Sequence, residues 1–421
     1  MEDERNLALE SLLDPPPPPG YEEEPKKTPS PKKRAPLPLF AGVCALILML
    51  GIWIGTGIGK SKPTAPPESE QLKSPPETTT TPESTAPSES GWEANLLRAD
   101  PVPYQRGLSI DWDEEAVVFP VFGSEYRRKQ IASVTFLDTL ADTPENAWDV
   151  SEAGDGRVMA WVTPTNELYN ELYDLYIAAE GGVSAAHDCS DLFAGYSNAK
   201  TINFGEAFHT TGAADMSCMF LGCKALTELN LNRFDTSAVQ DMSYMFSECE
   251  ALTELTLGDS FDTSAVQDMS GMFGWCSSLK DLTLGDSFDT SAVQDMSGMF
   301  GWCSSLKALT LDDSFDTSAV QDMSSMFNFC ESLTHLTLGD SFDTSAVQDM
   351  NHMFYWCAHL RGLTLGDSFD TSAVQDMNRM FCRCKSLTKL TLGDNFVTTN
   401  ADTEDMFYDC PAGADYRHLL N

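Results

Sequence analysis

The chain of 421 residues is poor in basic side chains: 26 Lys and Arg stand against 64 Asp and Glu, a formal net charge of -38, and His occurs only six times. A phosphate backbone is bound by clustered Lys and Arg, so a nucleic-acid partner is not expected. The one dense basic cluster, Lys26 to Arg34, has another explanation below. The short catalytic signatures are missing too. No G-x-S-x-G, H-E-x-x-H, P-loop or dinucleotide glycine motif occurs, so the chain is not expected to be an enzyme. Nor is there a C-x-x-C pair, only Cys382-x-Cys384, and the His residues are scattered, which argues against a zinc site.

Long apolar runs are equally scarce, with one exception. Leu39 to Gly59 reads LFAGVCALILMLGIWIGTGIG without a charge, close to the ~20 residues that span a bilayer core. Five basic residues (Lys26, Lys27, Lys32, Lys33, Arg34) precede it, and only Lys60 and Lys62 directly follow. The positive-inside bias then places the N-terminus in the cytoplasm and everything after Lys60 outside. A cleaved signal peptide is the alternative, but its apolar region would be shorter and would follow a short basic start. The expected organisation is a disordered Pro-rich cytoplasmic tail (1–38), a transmembrane helix (39–59) and a Pro/Ser/Thr-rich stalk (60–90, with PPETTTTPESTAPSES). A capping region (91–186), a repeat solenoid (187–410) and a short C-terminal cap (411–421) follow. Within 91–186, AVVFPVF (Ala116 to Phe122) and IASVTFL (Ile131 to Leu137) read as strands. TNELYNELYDLYIAAEGG reads as a helix, with Thr165 as N-cap, Leu168, Leu172, Leu175 and Tyr176 on one face, and Gly181 as the stop.

What the chain has in abundance is repetition. FDTSAVQDMSGMFGWCSSLKDLTLGDS, from Phe261, is followed from Phe288 by FDTSAVQDMSGMFGWCSSLKALTLDDS. The Met-Phe pair recurs at Phe220, Phe246, Phe273, Phe300, Phe327, Phe354, Phe381 and Phe407, with a decayed first copy at Leu192-Phe193, in steps of 26 or 27 residues. Met269, Met272, Phe273 and Cys276 share the spacing of one face of a short helical turn, which Asp268 can cap. Leu279, Leu282 and Leu284 follow the L-x-x-L-x-L spacing of a strand with Leu turned inward. The pattern continues from Leu226/Leu229/Leu231 to Leu387/Leu390/Leu392, with Ala199/Ile202/Phe204 in the first copy. The fold class expected is a leucine-rich-repeat-like solenoid of about nine turns, each a short parallel strand with a helical or irregular return, behind an α+β N-terminal cap.

The unit F-D-T-S-A-V-Q-D-M-S-x-M-F-x-x-C-x-x-L-x-x-L-x-L resembles the repeat of the BspA-like leucine-rich-repeat surface proteins, a bacterial group. Gln stands here where the family's pattern has a second Thr. The likeness covers roughly Cys189 to Cys410, and the lead-in DCSDLFAGY resembles the family's entry segment. What the resemblance implies is an extracellular, non-enzymatic display module, often linked to adhesion to host or neighbouring cells.

Four columns of residues remain to be weighed. One Cys per copy (Cys223, Cys249, Cys276, Cys303, Cys330, Cys357, Cys384, Cys410) reads as a packed thiol column, although turns this close would also permit disulfides. The Asp column of Asp262, Asp289, Asp316, Asp343 and Asp370, with two further Asp columns, reads as turn formation and capping. Calcium held between turns is the alternative for it. The slot before the Cys varies, and four successive copies place Trp275, Trp302, Phe329 and Trp356 there. These form either a binding stripe or a structural stack between turns. The outward strand slot drifts from acidic to basic through Glu228, Glu254, Asp281, Ala308, His335, Gly362 and Lys389, a gradient able to orient a ligand. The expected protein is a membrane-anchored bacterial surface repeat protein that presents a face to an extracellular protein or glycan. The alternative is a calcium-stabilised coat or spacer with no specific ligand.

Overall fold

The computed structural model describes residues 91–102, 119–165, 171–285 and 287–420. The expected tail (1–38), apolar span (39–59) and stalk (60–90) lie outside the described residues, and among these no helix is long and apolar enough to cross a membrane.

The region before the repeats is a mixed β-sheet. β1 (Ile131–Leu137) pairs in parallel with β4 (Tyr173–Ala178), while β3 (Met159–Pro164) lies antiparallel to both β4 and β2 (Trp148–Asp149). The other edge of β1 pairs in parallel with β6 (Thr201–Asn203), so the sheet order is β2-β3-β4-β1-β6 and the first repeat enters the sheet directly. Two short pieces, β5 (Val183–Ser184) and β7 (Phe208–His209), pair beside it.

The expected helix is corrected here. Residues 166–170 lie outside the described ones, and Tyr173–Ala178 is a central strand with Leu175 and Ile177 buried. Pairing on both edges satisfies every ladder and outweighs the helical spacing of Leu172, Leu175 and Tyr176. Among the described residues the cap contains no α-helix, so it is β rather than α+β. Of the run 116–122, residues 116–118 are not described, and the rest forms no strand beyond a bridge between Pro120 and Arg127. Arg128 ties this sheet to the repeats. It is buried, it pairs with Asp100 at 2.9 Å, and it donates to the carbonyls of Asp100, Asp191 and Ala194.

The repeats form a solenoid whose unbroken seam is the Asp-Met-Ser segment. Parallel bridges join Asp188 to Asp215 and run through Asp241, Asp268, Asp295, Asp322, Asp349 and Asp376 to Asp402. In the copy at Asp241, the N–H groups of Met242, Tyr244, Phe246 and Glu248 donate to carbonyls of Asp268, Ser270, Met272 and Gly274 in the next turn, at 2.8–3.0 Å. The intervening N–H groups close tight turns within the copy: Met245 on Met242, Ser247 on Tyr244, Cys249 on Phe246. Tyr244 (φ 55) and Glu248 (φ 58), each the third residue of a turn, are left-handed, as a type II turn requires.

The expected helical turn is therefore replaced by three overlapping tight turns in every copy. Their apolar residues share a helix's i, i+3, i+4, i+7 spacing, so Met269, Met272, Phe273 and Cys276 are all fully buried. The Phe rings stack from Phe193 through Phe407 with centroids 5.3–5.7 Å apart. A second column, Phe288 to Phe396, stacks at 6.1–6.4 Å.

The leucine side is less regular. β8 (Glu228–Asn230) pairs with β9 (Glu254–Thr256), β10 (Ala308–Leu311) with β11 (His335–Leu338), and β12 (Gly362–Thr364) with β13 (Lys389–Thr391). All three pairs are parallel and in register, but they are not joined into one ladder. Behind them, buried Thr hydroxyls link the turns: Thr263 donates to the Asp289 carbonyl and Thr290 to that of Asp316, at 2.7 and 2.8 Å. At the C-terminal end Tyr416 stacks on Phe407 and donates its hydroxyl to the Leu390 carbonyl, closing the last turn.

Candidate ligand-binding face

Two positions in each copy sit on left-handed backbone, with φ between 52 and 74° throughout the array. The first holds Asp191, Cys218, Tyr244, Gly271, Gly298, Ser325, His352, Arg379 and Asp405. The second, four residues on, holds Gly195, Gly222, Glu248, Trp275, Trp302, Phe329, Trp356, Arg383 and Asp409. An L-residue with a Cβ loses roughly 1–2 kcal/mol in this conformation. Glycine, present at both ends of the choice, would be the residue of least strain. These are also among the varied letters of the repeat, so side chains with a Cβ are kept at strained points, a pattern associated with functional positions.

The four aromatic residues called from the sequence come together as one column. Trp275 and Trp302 are stacked at 5.8 Å with 2° between ring planes, Trp302 and Phe329 at 3.7 Å and 11°, and Phe329 and Trp356 at 5.5 Å and 14°. The rings pack on each other between turns, and each is still partly open to solvent. Sequence spacing missed their flank. Tyr355 meets Phe329 edge-on at 5.2 Å and His352 at 5.1 Å. Arg383 lies over the Trp356 ring at 4.5 Å and Lys385 at 5.4 Å, within cation–π range. The signal was available, because the first left-handed slot also varies from copy to copy.

Beside the first two tryptophans both slots of the floor are glycine. A Cβ on Gly271 would stand 2.5 Å from the Tyr244 ring, whereas nothing lies within 4 Å of one on Gly298. Burial, then the nearby Asp295 and Asp268, push the Tyr244 phenol up to about 12. In the next turns the Trp302 Nε1, Ser325 Oγ and Asn328 Oδ1 atoms are buried and have no hydrogen-bond partner. The Asn328 carboxamide leans over Gly301, where a Cβ would come within 2.4 Å of its oxygen.

The remaining called residues lie elsewhere. Glu254, Asp281, His335 and Lys389 are exposed on the strand side, six residues beyond the aromatic slot or its equivalent in each copy. A cavity of about 560 Å³ opens there between β11 and β12, with Asp340 and Lys389 among its walls. Asp262, Asp289, Asp316, Asp343 and Asp370 each accept the N–H of the Ser two residues on, at 2.8–2.9 Å, the turn-forming role. Among the described residues no group of three or more His, Cys, Asp or Glu side chains is arranged to hold a metal ion. The Asp column that begins the Asp-Met segment is more buried. Burial raises the carboxyl groups of Asp268, Asp295, Asp322, Asp349 and Asp376 above the usual range, and neighbouring Asp residues add to it. The array's cysteines are buried free thiols.

A family model described as "Mycoplasma protein of unknown function, DUF285" matches residues 187–312, 280–389 and 312–415, together more than half of the chain. The chain belongs to this family. The boundaries of the DUF285 matches begin at the first Asp bridge and end in the C-terminal closure, so the family unit is the solenoid itself. Among solved structures, a leucine-rich-repeat protein of T. pallidum is similar at 16% identity, over 62% of this chain and 92% of that one, with a TM-score of 0.27. A leucine-rich-repeat protein from Bacteroides ovatus is similar at 18% identity, over 47% and 68%, with a TM-score of 0.20. No curated protein matches the chain.

Proposed function

We propose that this is a membrane-anchored, non-enzymatic surface protein of the DUF285 family whose solenoid presents a binding face to an extracellular protein or glycan, in adhesion or cell interaction. The observation that carries the reading is the Trp275–Trp302–Phe329–Trp356 column: four aromatic residues on strained backbone that glycine would occupy more cheaply, partly exposed, in adjacent turns. Aromatic side chains dominate the energetics of contact surfaces. The apolar run 39–59 and the Lys/Arg bias before it support the anchor and the outward placement of the repeats.

The calcium-stabilised coat has less support, because the Asp262 column is engaged in turn hydrogen bonds. The test is attachment of cells or beads that display the full chain, comparing wild type with a Trp275→Gly/Trp302→Gly variant whose unfolding midpoint and circular dichroism show an intact solenoid. Loss of attachment supports the reading; undiminished attachment by the folded variant ends it.

A further inference from the structure

The aromatic column can be taken one step further, to the chemistry of its ligand, and this step rests on the binding-face reading above. Because the rings lie parallel and cover one another, a ligand meets their edges rather than their faces. Aromatic edges carry the positive end of the ring quadrupole and favour electronegative atoms. The indole N–H of Trp302 has no acceptor within the chain, and the hydroxyl of Ser325 and the carboxamide oxygen of Asn328 in the next copy also lack partners. Ser325 and Asn328 are more than nine-tenths buried. A buried group whose hydrogen bond is unmade keeps its full desolvation penalty, so three in adjacent turns call for a partner rich in hydroxyl groups. Gly298 leaves open space beside them.

Peptide strands are disfavoured as that partner. The backbone N–H groups of Trp275, Trp302, Phe329 and Trp356 all donate to the next turn, at 2.7–2.9 Å, so they offer no ladder for a strand to join. The charge of the ligand is indicated at the far end. In a chain of net charge -38, the column ends on Arg383 and Lys385 over Trp356, with His352 beside Tyr355. Lys385 also lies 3.7 Å from Asp409, and Arg379 3.8 Å from Asp405.

We propose that the face over Trp275 to Arg383 binds an acidic saccharide, its hydroxyl groups meeting Trp302, Ser325 and Asn328 and its carboxylate or sulfate meeting Arg383 and Lys385. The experiment measures binding of the full chain, in detergent, to immobilised neutral, sialylated and sulfated oligosaccharides, together with attachment to cells treated with protease or with glycosidases. Expected is binding to the acidic probes alone, weakened as salt rises. Trp302→Gly and Arg383→Gln should each lower it about tenfold. Trp302→Phe, which keeps an aromatic ring in the stack and removes the indole N–H together with its five-membered ring, should lower it by a smaller factor and guards against a misfolded glycine variant. Equal binding of neutral and acidic probes, unmoved by Arg383→Gln, overturns the acidic assignment. Attachment lost with Trp302→Gly but abolished by protease and spared by glycosidases overturns the saccharide and leaves the face standing. Attachment untouched in a folded Trp302→Gly protein overturns both.

Discussion

The thiol of Cys303 donates to the carbonyl of Phe273, thirty residues earlier and 3.1 Å away. The same contact repeats from Cys223 on Phe193 to Cys384 on Phe354, so the cysteines pair with backbone rather than with each other. Burial pushes the Cys303 thiol up to about 12, and the thiolate is the reactive form. A thiol-exchange reagent at pH 8 should therefore leave the array cysteines of the folded chain unmodified and label them fully in denaturant. Peptide mapping by mass spectrometry reads each site separately from Cys44. Labelling of Cys276, Cys303 or Cys330 in the folded protein would contradict the ladder.

The Thr ladder makes an independent prediction. Thr290 is fully buried, and its hydroxyl serves the Asp316 carbonyl at 2.8 Å. Thr290→Val keeps the shape and strands that carbonyl, so it should cost about 1–3 kcal/mol in denaturant unfolding. Thr290→Ser, which retains the hydroxyl, should lose less. Equal losses for the two would mean that packing of the methyl group, not the hydrogen bond, holds the turns at this point.

How much of this was legible in the sequence differs by scale. The Met-Phe period exposed the solenoid because each letter of the core, such as Met269, Phe273 and Cys276, recurs at one position in every turn. The local conformation was not legible. Three overlapping tight turns bury residues at the same i, i+3, i+4, i+7 spacing as a helix, and their left-handed slots hold Trp, Phe, Glu and Arg as well as Gly. β4 was misread for a related reason: Leu172, Leu175 and Tyr176 fit a helical face, but the decisive term is pairing with β1 and β3, from distant segments. The aromatic column was found because its slot varies, and Arg383 stands in that same slot one copy on; Tyr355 and His352, from the copy of Trp356, were missed because they occupy other slots.

The buried Asp column should give the array an unusual response to acid. The carboxyl groups of Asp268, Asp295, Asp322 and Asp349 are raised in the folded state by burial first and by their neighbours second, so folding favours their protonated form. Their penalty is present in full above the folded values and is relieved as pH falls through them towards the unfolded value of about 3.9. Asp235, held below its usual range by the hydrogen bond from Ser237, acts in the opposite sense at lower pH. The unfolding midpoint should thus rise on moderate acidification from pH 7. Asp295→Asn should raise it at pH 7 and flatten the pH profile, since the amide oxygen can still accept the Ser297 N–H that Asp295 accepts at 2.8 Å. A midpoint that falls from pH 7 downwards, and falls further with Asp295→Asn, would show the carboxylates to be stabilising.

Two glycines separate strain from crowding on the binding face. Gly298 has φ 61° and nothing within 4 Å of an added Cβ, while Gly271 has φ 58° and the Tyr244 ring 2.5 Å from one. Gly298→Ala adds only the left-handed conformational cost, so it should destabilise by about 1–2 kcal/mol, a fall of roughly 2–8 °C in the unfolding midpoint. Gly271→Ala adds the clash and should lose more, with part of the loss recovered in a Gly271→Ala/Tyr244→Ala double variant because the two sites are in contact. The reverse change, Ser325→Gly, gives the third copy in the row the residue that Gly271 and Gly298 already supply, and should stabilise. If Gly298→Ala is neutral while Gly271→Ala is not, crowding alone governs this surface. The aromatic residues at the neighbouring left-handed slot would then carry no strain, and strain would no longer mark them as functional.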